Sequence, residues 1–304
     1  MLEQITRNKR RSVIVIALFV LVWIGIGALL GELVGGRSRS SAIVTGIVVA
    51  GVFAVGAALY ALLGGDRMVL AVSGARPADP TQYQQLHNVV EEMALAAGLP
   101  KPAVYVIEDP SPNAFATGIS PKRAAITATS GLLTTMNREE LEGVISHEMS
   151  HIKNYDVRLI LVVTTLIGFA AILASVFWRA AFFVRPRGKD GEQVTIFIIA
   201  AAALLSLVAV IIGPLIQFAL SRSREELADV SGANLTRNPL GLMHALQKLQ
   251  QNDKPFAKFN HATASMCIDD PLQHHEGWFH RLFDTHPPLD ERIAILQKIA
   301  AGQA

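Results

Sequence analysis

The sequence predicts a mainly α-helical membrane protein with a small β-sheet: four transmembrane helices and an aqueous domain assembled from two separate segments of the chain. Three observations predict it. First, the 304 residues are 51% hydrophobic against 17% charged, and the mean hydropathy is +0.37, which points to a bilayer. Second, four runs carry no charge: residues 12–31, 40–65, 159–178 and 193–221, of 20, 26, 20 and 29 residues. About 20 residues of helix cross a hydrocarbon core of about 30 Å. Third, the stretch between the second and third runs has the composition of a soluble domain, with short alternating strands and one strongly patterned helix. The net charge of +2 gives no sign of a nucleic-acid partner. Cys267 is the only cysteine, which excludes an internal disulfide and a cysteine metal cluster.

In chain order, residues 1–65 form a basic tail (Arg7, Lys9, Arg10, Arg11) and a hairpin of two spans with a Gly- and Ser-rich turn holding Arg37 and Arg39. A signal peptide competes for the first run, but the run is long and a second span follows almost at once. Residues 66–158 form the first aqueous segment. Its expected elements are a helix from Thr81 to Ala97 ended by Gly98-Leu99-Pro100, then a strand at Ala103–Ile107. Two short strands follow at Asn113–Gly118 and Ala124–Thr129, around Ser120-Pro121. Residues 159–221 form a second hairpin, whose final run is longer than a span needs and contains Pro214. Residues 222–304 form the second aqueous segment. It is helical from Ser221 to Leu249 with a break near Asn238-Pro239, irregular from Asn252 to Trp278, and helical again from Asp290 to Ile299.

The chain is organised around His147-Glu148-Met149-Ser150-His151. Residues four apart stand one above the other on a helix, so the two imidazoles can face one metal ion. Zinc with an open position lowers the pKa of its water to about 7. Glu148 is placed to take that water's proton and pass it to a leaving amine, which is the chemistry of peptide-bond hydrolysis. The same pattern can arise by chance on a solvated face, but the context favours a built helix. Asn137 is an N-cap with Glu140 as its capping-box partner, and Leu141, Val144, Ile145 and Ile152 form a buried stripe, predicting a helix over residues 138–156.

Two histidines leave a zinc site one protein ligand short. The candidate region is Ser221-Arg222-Ser223-Arg224-Glu225-Glu226-Leu227-Ala228-Asp229. Glu225 and Asp229 share a helix face, so Glu225 can bind metal while Asp229 accepts a hydrogen bond from a ligand imidazole. The competing reading pairs these acids with Arg222 and Arg224 on an exposed face. Topology supports the ligand: two spans separate His151 from Glu225, which returns the chain to the same side, close to the membrane surface.

His147-Glu148-x-x-His151, Ser221-Arg222-x-Arg224-Glu225-x-x-Ala228-Asp229 and Asn113-Ala114-Phe115 together resemble the HtpX family of membrane-embedded zinc metalloproteases, distant relatives of the CaaX prenyl endopeptidases. The resemblance covers nearly the whole chain. It implies a zincin-like catalytic domain assembled from two cytoplasmic segments, one Zn2+ per subunit on His147, His151 and Glu225, Glu148 as general base, and Asp229 behind a ligand. It implies that Asn113, Ala114 and Phe115 belong to an edge strand to which an extended substrate adds. It draws attention to His286 and Arg292, either as oxyanion stabilisers or as anchors of the last helix. Glu226 departs from the family, which usually has an aromatic residue there. The remaining histidines, His87, His244, His261, His274, His275 and His280, read as ordinary helix-face or exposed residues.

The basic tail favours a cytoplasmic N-terminus and a cytoplasmic catalytic domain at a bacterial inner membrane. Arg179, Arg185, Arg187 and Lys189 oppose this, because they would then face outward. The expected function is zinc-dependent cleavage of unfolded or damaged membrane proteins, with the quality-control role implied by the resemblance. A narrow-specificity processing peptidase and a non-catalytic zinc-binding scaffold are the alternatives. A transporter fits less well, since the spans carry no interior ionisable residue.

Overall fold

The computed structural model describes residues 2–183, 191–207, 213–251, 267–268 and 288–302. The chain divides into two compact units. One comprises Met1–Lys9, Gly65–Leu161 and Gln217–Ala304; the other comprises Arg10–Gly64 and Val162–Ile216.

The second of these is built from long apolar helices. Helix α1 (Leu2–Val34) contributes its residues from Arg10 onward, α2 (Arg39–Leu63) follows a single 3-10 turn, and α7 (Asp156–Phe183) from Val162 onward joins α8 (Gly191–Leu207). Among the described residues, three helices are long and apolar enough to cross a bilayer, over Glu3–Leu33, Arg39–Leu63 and Asp156–Phe182. A fourth crossing is not shown: within the fourth uncharged run the described residues form an apolar helix, Val194–Leu207, that is shorter than a span, and residues 208–212 lie outside the described residues. Large side chains such as Leu21, Val52 and Ile172 point outward, as suits a lipid-facing surface. Helices α1 and α2 cross closely because small residues meet: a Cβ on Gly46 would stand 2.1 Å from the Gly27 carbonyl oxygen.

The other unit holds a four-stranded sheet of order β1-β2-β4-β3. Strand β1 is Arg76–Pro77, β2 Ala103–Ile107, β3 Ala114–Ser120 and β4 Arg123–Thr129. Strands β2 and β4 run parallel, and the other two pairs are antiparallel. The expected strands are thus present, and β1 is an addition to them. Helix α4 (Gln84–Ala97) begins three residues later than expected, because Asp79 Oδ1 holds the amides of Thr81 and Gln82 in a turn. It ends as expected at Gly98, which takes φ +69°. Two short helices, α3 (Gly65–Val72) and α5 (Ser130–Thr135), were not legible in the hydrophobic pattern.

Helix α6 (Arg138–Lys153) packs against α4, β3 and β4 and against α10 (Pro239–Gln250). Its capping box is complete: Glu140 N donates to Asn137 Oδ1 (2.9 Å), and Asn137 N donates to Glu140 Oε2 (2.8 Å). Gly143 lets α10 approach, since a Cβ there would stand 2.5 Å from Leu242 N. The helix does not run on to Asp156 as the pattern predicted. It stops at Lys153, Tyr155 turns with φ 61°, and α7 starts afresh at Asp156. Helix α9 (Gly213–Thr236) breaks at Arg237, φ 53°, before Pro239 opens α10. The last helix, α11 (Leu289–Ala300), packs on α10. A single hydrophobic core joins α4, α6, α10, α11 and the sheet, centred on Leu86, Val90, Ile126, Val144, Ile145 and Leu246.

Candidate metal centre

Helix α6 buries almost its whole length, so its polar residues are enclosed rather than solvated. His147, Glu148 and His151 are all buried. Helix α9 brings Glu225 and Asp229 to the same place, and both are buried with Arg224. The reading of these acids as an exposed charged face is therefore corrected, while Glu226 does face solvent. Close approach of α9 depends on Gly232: a Cβ there would lie 3.0 Å from His147 N and 3.1 Å from Ser146 Oγ.

One ligand atom from each of His147, His151 and Glu225 falls within 4.8 Å of the others. His147 Nε2 lies 3.1 Å from His151 Nε2 and 3.4 Å from Glu225 Oε2, and His151 Nε2 lies 3.5 Å from Glu225 Oε1. Donors bound about 2.0–2.1 Å from one tetrahedral zinc lie roughly 3.3–3.4 Å apart. The three donors therefore fit such an ion, and the two-imidazole, one-carboxylate set suits zinc.

Each imidazole is held from behind. His147 Nδ1 stands 2.8 Å from Asp229 Oδ1. A carboxylate only accepts, so Nδ1 carries a proton, and Nε2 is the nitrogen that a metal takes once it displaces the second proton. Asp229 is in turn held by Arg292, through Nε–H to Oδ2 (2.9 Å) and Nη2–H to Oδ1 (2.8 Å). His151 Nδ1 faces Asp156 Oδ2 at 3.2 Å. The sequence pattern did not find Asp156, because it was placed on the continuing helix.

The electrostatics follow from burial and these partners. Burial disfavours a charged His147, but its hydrogen bonds to Asp229 and Glu225 more than offset this and raise it to about 9. Burial also opposes the Asp229 carboxylate, yet Arg292 and His147 hold its pKa below the usual range. Burial pushes Glu148 above its ordinary value, against the pull of His147, His151 and a backbone hydrogen bond from Ala116. An enclosed carboxyl with a raised pKa holds a proton more readily than an exposed one, as a group that takes and returns a proton must.

The remaining expected residues are placed as follows. Arg292 is wholly buried, with its third nitrogen donating to the Ile268 carbonyl oxygen at 2.9 Å. Its shortest hydrogen bonds go to Asp229 and Ile268, and it also stands close to the site, with Nη2 3.4 Å from His147 Nδ1 and Nη1 3.9 Å from Glu225 Oε2. His286 lies outside the described residues, as do His261, His274, His275 and His280. Ala114 and Phe115 lie on β3, at the edge of the sheet, with Asn113 just before it. That edge is engaged: Phe115 bridges Cys267, and Ile268 N donates to the Ala114 carbonyl oxygen at 2.9 Å.

The model of peptidase family M48 matches residues 80–300. A protease HtpX homolog of Caldanaerobacter subterraneus subsp. tengcongensis is 45% identical over 260 residues, covering 84% of this chain and 85% of that one. One from Ligilactobacillus salivarius is 40% identical over 306 residues, covering 97% and 98%. The crystal structure of S. mikatae Ste24p superposes with a TM-score of 0.49 at 18% identity, covering 97% of this chain and 67% of that one. A family match over most of the chain, protease relatives 40–45% identical over most of its length, and long apolar helices together make this a membrane-embedded metalloprotease that belongs to peptidase family M48.

Proposed function

We propose that the chain is a zinc-dependent endopeptidase that cleaves unfolded or damaged membrane proteins, with its active site on the cytoplasmic side of a bacterial inner membrane. The observation that carries the reading is the convergence of His147, His151 and Glu225 on one point, with Glu148 buried beside them. In this reading four helices span the membrane, and the two aqueous segments form one zincin-like catalytic domain.

His147, His151 and Glu225 would hold the ion. Zinc bound there supplies a Lewis acid and acidifies water. Glu148 takes a proton from the attacking water as its oxygen bonds to the scissile carbonyl carbon. It returns that proton to the amide nitrogen as the carbon–nitrogen bond breaks. Asp229 and Arg292 keep the His147 ring in one tautomer and orientation, so Arg292 serves as a support. An extended substrate adds to the edge of β3 through main-chain hydrogen bonds, which suits loose sequence preference. At Ala114 this requires the hydrogen bond from Ile268 to open.

The test is proteolysis of casein by full-length, detergent-purified protein stripped of metal. The reading expects no cleavage until zinc is added, and loss again with a chelator. Cleavage that is indifferent to both would exclude it.

A further inference from the structure

His147 and His151 are backed by carboxylates of the same kind but of different origin. Asp229 behind His147 is gripped by Arg292 of α11, near the C-terminus. Asp156 behind His151 is held from the opposite end of the chain. Asn8, in the first turns of α1, is wholly buried. Its Nδ2 donates to Asp156 Oδ1 at 2.6 Å and to the Asn154 carbonyl oxygen at 2.9 Å. The other oxygen of Asp156 is the one that faces His151 Nδ1.

The local backbone is shaped for this contact. Tyr155 takes φ 61°, a conformation that disfavours a residue with a Cβ by about 1–2 kcal/mol. The turn ends α6 and sends Asp156 back beneath His151. Lys9, next to Asn8, lies 4.2 Å above the Tyr155 ring, so the N-terminal tail touches both residues of the turn that matter. Without the tail, one oxygen of a buried carboxylate and the carbonyl of Asn154 would each lose a donor, and such losses are costly in a closed site.

We infer that Asn8 and Asp156 are positioning residues of the metal centre, so that the first turns of α1 are a working part of the catalytic unit. Asp156 accepts from His151 Nδ1–H and leaves Nε2 for the ion; Asn8 fixes Asp156 in that pose. The inference rests on the zinc-site reading above. It implies that any event that pulls or cuts the first ten residues weakens metal binding at a centre about 140 residues away in sequence.

The experiment uses full-length protein in detergent, as wild type, Asp156→Asn, Asn8→Ala and Asn8→Asp. Zinc affinity is measured by competition with a chelator, and thermal unfolding is measured on the metal-free forms. Partners behind a ligand histidine typically contribute about 10–100-fold in metal affinity. Asp156→Asn is expected in that range and Asn8→Ala near its lower end. Asn8→Asp should be worse than Asn8→Ala, because it sets a second carboxylate against Asp156. Should Asp156→Asn fail to fold, the two Asn8 variants carry the test. Asn8 variants that bind zinc like wild type, or lose it only in proportion to unfolded protein, overturn the inference and leave the peptidase reading standing. A wild type that binds no zinc would remove both.

Discussion

The Asp229 carboxylate stands between His147 and Arg292, accepting from His147 Nδ1 at 2.8 Å and from two guanidinium nitrogens. The arrangement does two things at once. It orients the ring, and it places a fixed positive charge that opposes protonation of His147. Arg292→Lys keeps the charge but cannot reproduce the two-point grip. It is expected to lower zinc affinity and peptidase rate by about 10–100-fold. Arg292→Leu leaves Asp229 buried without its cation and should cost about 3–5 kcal/mol of stability. Chelator competition and denaturant unfolding separate the two effects.

Metal binding should depend on pH in a defined direction. His147 titrates at about 9 in the metal-free protein, so it carries a proton at neutral pH that zinc must displace. Zinc affinity therefore falls as pH drops below 9, by about tenfold per unit for one displaced proton. Calorimetry in buffers of different ionisation enthalpy would count the released proton. An affinity unchanged between pH 7 and pH 9 would contradict the assigned Asp229–His147 pairing.

Two glycines should give contrasting phenotypes. Gly143→Ala drives a Cβ to 2.5 Å from Leu242 N, backbone against backbone, and should destabilise by about 1–3 kcal/mol with normal zinc affinity in the folded fraction. Gly232→Ala meets His147 N at 3.0 Å and His147 Cα at 3.2 Å. It should shift α9, and Glu225 with it, and so weaken zinc binding more than it weakens the fold. Equal effects of both changes on zinc affinity would argue against this division.

Ile268→Pro tests the edge of β3. The change removes the N–H that now occupies the Ala114 carbonyl oxygen. If substrate adds at that carbonyl, a hydrogen bond worth about 0.5–1.5 kcal/mol no longer competes, and cleavage at low substrate should rise about 2–10-fold. A folded variant with an unchanged rate would place substrate elsewhere on the sheet.

The parts of the site that were legible in the sequence are those set by local spacing. His147 and His151, like Glu225 and Asp229, lie four apart on one helix, and the Asn137–Glu140 capping box closes over three residues. What escaped the pattern depends on distant contacts. The break at Tyr155 follows an apolar stripe that looks continuous, and its positive φ is supported by a tail about 150 residues earlier. Asn8 is one polar residue among basic ones, with nothing around it to mark a buried partner. Strand β1 is two residues long and exists by pairing Arg76 and Pro77 with Val106 and Tyr105, so it has no alternation to read. Arg292 was marked by the family motif, but its two-point grip on Asp229 needed the fold.

The proposed function gives the chemistry to Glu148, at a metal held by His147, His151 and Glu225. The most direct measurement compares wild type and Glu148→Gln for two quantities in the same samples: zinc bound per chain and casein cleaved. Both proteins should bind one zinc with similar affinity, while cleavage in the variant falls by about 10²–10⁴-fold, the usual contribution of a general base. Undiminished cleavage by a zinc-loaded Glu148→Gln protein would contradict the account.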